Sequence, residues 1–410
     1  MILYLKKQSK MRLNKISTRN ILTLRYDITT EKPTRKLATV QDFKKSFNDK
    51  GGHNTEKLLN ESFKEVEKFD KFSISLSGGI DSSLCLALLR KNFPNAEITA
   101  VSGVFEGAFD ESTYAKKLAE KFDADFFPIQ MESIYAKMPE IVYISKKPKW
   151  NTYNHLIAKQ AKKFSKILVT GDGGDELFGG YTFRYKKFLN LVKSNDNWKT
   201  RIIKHLECHN RDWVPDQKSI FGKKIRFSWI EIYNYFKPYF NNKLSPLNQV
   251  MLADFNGKLL HDFIPTGNAI SSHYKINRFS PFLNREVQQF GLSLSTKSKY
   301  NYSTNQGKII LREINARLKV KSMKEKYGFS PSLIFDWQKS GKDIFMTYAF
   351  EKNANIYTQK IINRDWVIHA LELIENDGNV RYLNRITSIL ALEIWYRIFI
   401  KKDLNPRKSL

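Results

Sequence analysis

Two short stretches of this chain carry the residue types that bind phosphate and a metal ion. The first runs from Phe72 to Ser83, with the sequence FSISLSGGIDSS, and joins an apolar strand to an apolar helix. Gly78 and Gly79 let the backbone approach an anion, and the free N–H groups of the following helix point to the same place. Asp81 would repel a phosphate unless a cation lies between them, and Mg²⁺ bound by carboxylates and phosphate oxygens removes this conflict. The stretch therefore predicts a site for a metal-bound nucleotide.

The composition of this loop also allows a purely structural role or a Walker-type phosphate site. The hydroxyls of Ser77, Ser82 and Ser83 and the carboxylate of Asp81 are also ordinary helix-capping groups, so the stretch alone is compatible with a plain strand, turn and helix. The loop lacks the G-x-x-x-x-G-K-[ST] spacing and its lysine, which disfavours a Walker-type nucleotidase.

A second stretch, GDGGDELFGGY from Gly171 to Tyr181, directly follows an apolar strand and contains three carboxylates. In the metal-site interpretation Asp81 and Asp175 each supply one ligand to Mg²⁺, which leaves Asp172 or Glu176 for the organic substrate or for proton transfer. The alternative is a glycine-rich turn that Asp175 caps. Together the two stretches favour a metal and nucleotide site.

The segments around these loops alternate between the period of a strand and the period of a helix. Helices are predicted over DESTYAKKLAEKF, with Asp110 as N-cap and Tyr114 and Leu118 on its apolar face, and over NTYNHLIAKQAKKF, which starts at Asn151. This alternation predicts an α/β fold with a doubly wound, mostly parallel sheet, whose ligands lie outside the C-terminal ends of the strands. Both loops lie at such ends and should face one crevice. The predicted strands cover residues 72–76, 98–104, 124–131 and 166–170.

The chain is expected to have an N-terminal extension with a lead-in helix over residues 1–70, an α/β core over 71–185 and a helical C-terminal part over 186–410. The first part includes a possible strand within residues 21–38, ILTLRYDITTEKPTRKLA. In the last part, KIILREINARL predicts a helix over residues 308–318. Aromatic residues interleaved with lysines in this part would suit single-stranded nucleic acid, but their helical spacing favours core packing.

The composition indicates a globular protein with an unusual charge. Of 410 residues, 41% are hydrophobic, and the formal net charge is +28. The cysteines Cys85 and Cys208 stand far apart, which argues against a disulfide framework or a zinc ribbon and fits a reducing cytosol. Since no signal peptide or long apolar run is present, no membrane span is expected and the expected location is cytoplasmic. The charge would suit a nucleic-acid partner, but a lysine-rich composition and attraction for anionic substrates explain it more simply.

With both loops in view, residues 56 to 402 resemble the synthetase domain of the asparagine synthetase family. That family is part of the larger group of ATP pyrophosphatases, adenine nucleotide alpha-hydrolase-like in fold, that carry an SGG-x-DS loop. The resemblance rests on sequence blocks that follow the family's order. The blocks are LSGGIDSS, VFEGAFDESTYAKKLAEKF, VTGDGGDELFGGY, SPFLN at Ser280, KIILRE at Lys308, KYGFSP at Lys326 and LEIWYR near the end.

The resemblance implies a ligase that uses ATP and Mg²⁺. A substrate carboxylate attacks the α-phosphate of MgATP and releases pyrophosphate, and an amine, usually ammonia, then displaces AMP from the acyl-adenylate to form an amide. Asp172 stands where the family often carries a glutamate that assists proton transfer, and Lys308 matches a lysine that stabilises charge on the adenylate. Asp81 and Asp175 match the Mg²⁺ ligands. The remaining matches are the pyrophosphate loop, Ser77, Gly78, Gly79, Asp81 and Ser82, and the adenosine contacts, Leu76, Val101, Ser102 and Gly171.

The chain departs from the family in three places. Glutamine-hydrolysing members carry a further N-terminal domain with a cysteine directly after the initiator Met, whereas this chain has Ile2 and reaches its phosphate loop by Ser77, so no glutaminase activity is expected. The ammonia would then be free or come from a separate glutaminase, or another amine would attack. The segment SKKPKWNTYN is basic where relatives tend to be acidic, and Thr266 and Asn268 replace a lysine and an aspartate. The resemblance therefore leaves the carboxylate substrate open.

Three functions follow in order of preference. The first is an ATP-dependent amide-forming ligase that acts on a small-molecule carboxylate and an amine. The second is a nucleic-acid-modifying ATP pyrophosphatase, which the charge of +28 would suit. The third is a nucleotide-binding scaffold without catalysis, which the joint presence of Asp81, Asp175 and Lys308 disfavours.

Overall fold

The computed structural model describes the chain over residues 14–29, 35–209, 211–323 and 330–410. The first residues of the block KYGFSP, from Lys326 onward, lie outside the described residues. None of the helices in the described ranges combines the length and apolarity needed to cross a bilayer.

The centre of the fold is a five-stranded sheet in which all neighbouring strands are parallel. Its strands are β1 Lys71–Ser75, β2 Glu97–Val104, β3 Asp125–Gln130, β4 Ile167–Val169 and β5 Asn277–Phe279. Their order, β3-β2-β1-β4-β5, shows that the chain winds first to one edge and then to the other. This order confirms the predicted doubly wound α/β fold, with its switch point between β1 and β4.

The four predicted strands agree with β1 to β4 to within one residue at each end. The sequence pattern does not predict β5, because three residues are too few to show the period of a strand. β5 pairs with β4, with Leu168 opposite Arg278, and so adds a further strand end beside the second loop. A short antiparallel hairpin, also outside the sequence-based expectation, consists of β6 Tyr300–Asn301 and β7 Gln306–Gly307.

Helices connect the strands and build most of the remaining chain. In chain order they are α1 Lys15–Leu24, α2 His53–Ser62, α3 Ile80–Asn92, α4 Ser112–Lys121, α5 Met138–Ser145, α6 His155–Ala161, α7 Gly174–Phe178, α8 Thr182–Leu191, α9 Trp198–Cys208, α10 Trp229–Phe240, α11 Pro246–Asp254, α12 Ile264–Tyr274, α13 Arg285–Ser293, α14 Thr296–Lys299, α15 Ile309–Arg317, α16 Leu333–Asp336, α17 Lys342–Phe345, α18 Asn355–Thr358, α19 Arg364–Asp377 and α20 Val380–Tyr396. More widely wound turns continue α11, α16, α17 and α20 over Phe255–Phe263, Trp337–Gly341, Met346–Phe350 and Arg397–Lys401.

The strand expected within residues 21–38 is wrong at its start, because helix α1 runs through that segment to Leu24. Asn14 caps this helix by accepting a hydrogen bond from Ser17 N at 2.7 Å. Ile21 and Leu24 are buried on the helix. Packing against the remainder of the protein therefore decides the structure of a short apolar segment whose local pattern is ambiguous.

The two helices predicted within the α/β core are present but begin later than expected. α4 begins at Ser112 with Glu111, and not Asp110, as its N-cap; Asp110 lies one position earlier and accepts a hydrogen bond from Ser112 N at 2.8 Å. On its predicted apolar face Leu118 is buried, whereas Tyr114 stays 48% exposed. α6 begins at His155. Helix ends are the least reliable part of a pattern-based prediction.

Apolar side chains from the sheet and from helices before and after it form one main core. In sequence this core extends from Leu24 to Val320, and a second apolar cluster gathers around α19 and α20. Cys85 and Cys208 are buried thiols without a disulfide. The main core draws on all three parts suggested by the sequence, and the boundaries of those parts stay a prediction.

Candidate active site

The first loop leaves the sheet at the carboxyl end of β1 and leads directly into α3. Leu76 still pairs with the next strand, since its N–H donates to the carbonyl of Val101 at 3.0 Å. Gly78 has a φ of 72°, a left-handed conformation that favours glycine, and its carbonyl accepts a hydrogen bond from Met323 N at 3.0 Å. Because α3 begins at Ile80, its first N–H groups and the positive end of its dipole lie beside the loop.

Serine hydroxyls hold the first loop from within. Ser82 Oγ accepts a hydrogen bond from Ser77 N at 3.3 Å and donates to the carbonyl of Gly79 at 3.2 Å. The hydroxyls of Ser77 and Ser82 lie 3.3 Å apart. These contacts order the loop before any ligand arrives, which reduces the entropic cost of binding an anion.

The second loop leaves the carboxyl end of β4 and packs against the first loop. Gly174 marks the closest approach, because a Cβ at this position would lie 2.7 Å from Asp81 Cγ. A Cβ at Gly171 would lie 2.9 Å from Asp81 Cβ. The two glycines therefore leave the space that the Asp81 side chain occupies. The loops share one crevice, as their positions at neighbouring strand ends predict.

Lys308 joins the two loops by an ion pair with each of them. Its Nζ lies 2.6 Å from Asp175 Oδ1 and also donates a hydrogen bond to Asp81 Oδ2. The lysine side chain is only 6% exposed. Burial alone would lower the pKa of Lys308, but the charges of Asp175 and Asp81 outweigh it and hold this pKa above its ordinary value. Two carboxylates and one ammonium thus meet at a single point at the ends of β1 and β4.

The backbone places Lys308 differently from the sequence-based expectation. The pattern puts this lysine on the helix over residues 308–318, but α15 begins at Ile309 and Lys308 stands just before it, after the β6–β7 hairpin. Its φ is 58°, a left-handed conformation that costs an ordinary residue about 1–2 kcal/mol. The Lys308 N–H donates to the carbonyl of Phe178 at 3.0 Å. Backbone and side chain both tie this residue to the second loop.

Asp172 belongs to the second loop but is held by β5. Arg278 donates to its Oδ2 from Nη2 at 2.6 Å and from Nε at 3.1 Å, and the hydroxyl of Thr170 donates to the same oxygen. Ser280 Oγ donates to the Asp172 carbonyl at 2.7 Å. Burial alone would raise the pKa of Asp172, but Arg278 and Thr170 hold this pKa below its ordinary value. Asp172 is therefore a carboxylate at neutral pH.

Arg278 is the site residue that sequence reasoning misses. It lies on β5, which is too short to be recognised from its pattern, and its partner Asp172 is 106 positions away in the chain. A usable signal does exist, because Arg278 stands two positions before the SPFLN block at Ser280. Two nitrogens of its planar guanidinium donate to one carboxylate oxygen, Asp172 Oδ2, a geometry that lysine would not reproduce.

Glu176, the third carboxylate of the second loop, is buried. The hydroxyl of Tyr181 donates to its Oε1. The Arg184 guanidinium lies 3.9 Å from the centre of the Tyr181 ring and pairs with Asp254 at 2.7 Å. Burial and the nearby charge of Asp175 raise the pKa of Glu176 to about 7. This carboxyl therefore exchanges a proton near neutral pH, unlike Asp172.

Replacing Glu176 by glutamine is expected to change how stability depends on pH. The folded state holds a proton up to the raised pKa of about 7, whereas the unfolded chain releases it near the ordinary 4.5. Between these values the folded state binds more protons, so the free energy of unfolding falls as pH rises. Glu176→Gln removes this fall, and at pH 8 the variant should be more stable than the wild type by about 1–3 kcal/mol.

Urea unfolding at pH 5 and pH 8 checks this expectation. Glu61→Gln, at an exposed position of α2, is the matched control and should keep the wild-type dependence on pH. An equal loss of stability between pH 5 and pH 8 in Glu176→Gln and in the wild type would show that Glu176 does not titrate in this range.

The crevice brings most of the predicted site residues together. Ser77, Gly78, Gly79, Asp81 and Ser82 line the first loop, and Gly171, Asp175 and Lys308 close the crevice from the side of β4. Asp172 lies on the side of β5. Leu76, Val101 and Ser102 are buried, the first directly after β1 and the other two within β2.

A doubly wound parallel sheet with a glycine-containing loop at its switch point defines a class of α/β proteins that bind ligands at the carboxyl ends of their strands. Within this class, the model of the asparagine synthase family matches residues 54–397 of the chain. The protein therefore belongs to the asparagine synthase family.

Curated relatives agree with this family. A putative glutamine-hydrolyzing asparagine synthetase of Mycobacterium tuberculosis (strain ATCC 25618 / H37Rv) is 35% identical over 368 residues, which cover 82% of this chain and 55% of the relative. The glutamine-hydrolyzing asparagine synthetase 1 of Bacillus subtilis (strain 168) is 23% identical over 370 residues, which cover 81% of this chain and 57% of the relative. The chain spans about half the length of these curated relatives.

Solved structures with partial similarity include two synthetases. The NMN synthetase of Francisella tularensis has a TM-score of 0.27 at 14% identity, covering 55% of this chain and 94% of its own. The NH3-dependent NAD synthetase of Campylobacter jejuni has a TM-score of 0.25 at 13% identity, covering 48% of this chain and 97% of its own.

Proposed function

We propose that this protein is an ATP-dependent amide-forming ligase. A substrate carboxylate attacks the α-phosphate of ATP, pyrophosphate leaves, and an amine then displaces AMP from the acyl-adenylate. The observation that carries the proposal is the meeting of Asp81, Asp175 and Lys308 beside a glycine-containing loop at the switch point of the sheet. Membership of the asparagine synthase family supports the same class of reaction.

The first loop supplies the binding site for the leaving pyrophosphate. The backbone N–H groups of Gly78, Gly79 and the first turn of α3 can donate to phosphate oxygens, and the positive end of the helix dipole favours their negative charge. The hydroxyls of Ser77 and Ser82 lie 3.3 Å apart. Each can give up this contact and donate a hydrogen bond to a phosphate oxygen instead. Binding then replaces internal hydrogen bonds instead of ordering a free loop, which keeps its cost low.

The chemistry of the crevice also fits Mg²⁺ carried by the nucleotide. Asp81 and Asp175 both contact the Lys308 ammonium, so their oxygens converge on one position that favours positive charge. Among the described residues no group of three or more His, Cys, Asp or Glu side chains could hold a metal by itself. Two carboxylates completed by phosphate oxygens and water are a usual Mg²⁺ environment. When bound, the ion would neutralise phosphate charge and orient the leaving group.

Lys308 and Asp172 are the residues that we assign to the two chemical steps. The Lys308 ammonium is buried and already charged, so it stabilises negative charge on the α-phosphate while the adenylate forms and breaks down. Asp172 is ionised and fixed by Arg278, and it can accept a hydrogen bond from the attacking amine, which gains positive charge as the C–N bond forms. Adenosine is expected against Leu76, Val101, Ser102 and Gly171.

Exchange of labelled pyrophosphate into ATP tests the proposal. The full chain is incubated with MgATP and a panel of small carboxylic acids, and the acid that is adenylated will support exchange without any amine. Adding ammonia or another amine should then produce AMP and an amide. A folded protein that binds MgATP but supports neither exchange nor AMP formation with any acid would refute the ligase and favour a nucleotide-binding scaffold.

Replacing Gly174 by alanine should impair this activity through Asp81. The new Cβ would lie 2.7 Å from Asp81 Cγ, so the carboxylate must move, and a displacement of about 1 Å in a catalytic group costs roughly 100-fold in rate. Gly291→Ala is the matched control on α13, where the nearest atom to the new Cβ is 3.4 Å away. The rate of pyrophosphate exchange should fall about 100-fold in the first variant and remain unchanged in the second. Equal rates would mean that Asp81 adapts without loss.

A second candidate, a nucleic-acid-modifying ATP pyrophosphatase, is favoured only by the net charge of +28. Binding of RNA or DNA that weakens steeply as salt increases would support it, because each phosphate contact releases counterions. The absence of binding at low salt would remove it. A separate glutaminase as the source of ammonia is likewise a proposal, which ammonia-dependent activity of the isolated chain would support.

A further inference from the structure

A cavity of about 320 Å³ lies beside the crevice on the side of β5. Arg35, Glu65, Asn268, Arg278 and Leu283 contribute to its lining. Its volume is at the lower end of the range for pockets that bind small organic molecules. Water occupies about 30 Å³ per molecule in the liquid, and ammonia is of similar size. The cavity is therefore several times larger than an ammonia molecule.

Arg278 connects this cavity to the proposed reaction centre. Its Nε and Nη2 bind Asp172, and its Nη1 packs against the backbone at Gly267 of α12, where an added Cβ would lie 1.6 Å from it. Ser280, also in the lining, donates to the Asp172 carbonyl at 2.7 Å. A molecule in the cavity therefore contacts the same guanidinium that positions the Asp172 carboxylate.

The cavity wall presents two guanidinium groups to a ligand. Burial lowers the pKa of Arg35. The negative charge of Glu65 raises this pKa, and the positive charge of Arg278 lowers it further. Arg35 donates to the carbonyl of Leu283, but in the described ranges no carboxylate lies within 4 Å of it. The Asp172 carboxylate balances the charge of Arg278, whereas Arg35 has no described ion-pair partner and can bind an anion.

Glu65 is the acidic group of the same wall. It accepts a hydrogen bond from Asn284 Nδ2 at 2.7 Å, which fixes its position at the rim. The wall thus offers both an anion site and carboxylates, Glu65 at the rim and Asp172 behind Arg278. Ammonia would need neither the volume nor the arginine pair.

Building on the ligase function above, we propose that this cavity binds the amine substrate, and that this amine carries an anionic group such as a carboxylate or a sulfonate. The anionic group lies against Arg35, beside the Arg278 guanidinium, and the amino group is directed to Asp172. In the second step the amine nitrogen forms a bond to the acyl carbon, the bond from that carbon to the AMP oxygen breaks, AMP leaves with the electron pair, and the nitrogen loses one proton to Asp172 or water. No further reactant is needed.

Direct binding and amide formation together test this proposal. The probes are glycine and taurine, which carry an anion, and ethylamine and ammonia, which do not. Calorimetry of the full chain should detect glycine or taurine more readily than ethylamine. In amide formation with the acid identified by pyrophosphate exchange, the KM of the anionic amine should be at least ten-fold below that of ethylamine.

Arg35→Gln should weaken binding of the anionic amine and raise its KM about ten-fold, which corresponds to about 1.4 kcal/mol. Arg35→Lys keeps the charge and should lose less, which separates loss of the anion site from damage to the fold. Arg285→Gln, at an exposed position on α13 outside the cavity, is the matched control. In Arg35→Gln the KM of ethylamine should stay at the wild-type value while the KM of the anionic amine rises.

Different outcomes would overturn the inference and the proposed function separately. Exchange with a carboxylic acid together with equal KM values for ammonia and anionic amines would keep the ligase and refute the cavity assignment. In Arg35→Gln, the KM of the acid in the exchange assay is compared with the KM of the amine in amide formation. If the KM of the acid rises as much as that of the amine or more, the cavity binds the acid and the proposal is overturned. If taurine binds in a way that depends on Arg35 but no acid supports pyrophosphate exchange, the anion site is retained and the ligase function is refuted.

Discussion

Replacing Lys308 by methionine is expected to lower the rate of pyrophosphate exchange by about 10³-fold, the upper range for loss of one preorganised charge-stabilising group. Methionine keeps the length and apolar stem of the side chain but removes the ammonium that contacts Asp81 and Asp175. In the proposed reaction the adenylate would then form without this fixed positive charge. Steady-state exchange with saturating MgATP measures the effect on the chemical step and not on nucleotide affinity.

The same substitution is expected to affect stability in a way that a purely catalytic lysine would not. Asp81 and Asp175 would face each other without the cation between them, and removing one partner of a buried ion pair costs about 3–5 kcal/mol. A divalent cation can replace the ammonium between two carboxylates, so Mg²⁺ without nucleotide should raise the Tm of Lys308→Met more than that of the wild type. Thermal unfolding with and without Mg²⁺ measures this difference.

Lys297→Met is the control for both measurements, because Lys297 is exposed on α14. It should leave the exchange rate and the response of Tm to Mg²⁺ at wild-type values. If Lys308→Met behaves like this control in both assays, Lys308 does not hold the two carboxylates together in solution.

Replacing Asp175 by asparagine is the second change with a large expected effect. The amide has the same size, but it removes one of two charges that face Lys308 and, in the proposed complex, one of two protein oxygens for Mg²⁺. Stabilisation of phosphate charge by a metal is worth several kcal/mol, so a loss of about 10³-fold in exchange is expected. The loss should shrink as Mg²⁺ concentration rises, because weakened binding of the ion is part of the defect.

Exchange rates measured against Mg²⁺ concentration separate binding from chemistry in this variant. Asp377→Asn, at an exposed position at the end of α19, is the control and should show the wild-type curve. A wild-type curve for Asp175→Asn would remove Asp175 from the site. An equal loss at every Mg²⁺ concentration would leave Asp175 with an electrostatic role through Lys308 alone.

The four central strands and both loops could be predicted from the sequence because their signals are local. An apolar strand followed by glycines and a helix has a recognisable pattern over about a dozen residues. The alternation of strands and helices then implies a parallel sheet, and the geometry of that sheet places successive loops at one edge. Two local patterns and one general rule therefore suffice to bring Asp81 and Asp175 to the same crevice.

Other parts of the protein escaped prediction because local patterns were short or ambiguous. The apolar segment before Leu24 suits a strand, yet its side chains fit the interior as helix α1. β5 contains only three residues, so Arg278 was not recognised as a partner of Asp172. Lys308 belongs to a helical block by sequence, but the chain turns left-handed at this residue before α15 begins.

The sequence by itself determined which chemical groups the protein carries at its strand ends, the loop for an anion and the acidic second loop. Only the tertiary structure decided how these groups are paired. Lys308 reaches Asp81 across 227 positions of the chain, and Arg278 reaches Asp172 across 106. Such pairs depend on the packing of the hairpin and of β5 against the second loop, and no periodicity records a contact between segments so far apart. Folding therefore places the buried Lys308 ammonium between Asp81 and Asp175 and ties Asp172 to Arg278 in the wall of the neighbouring cavity.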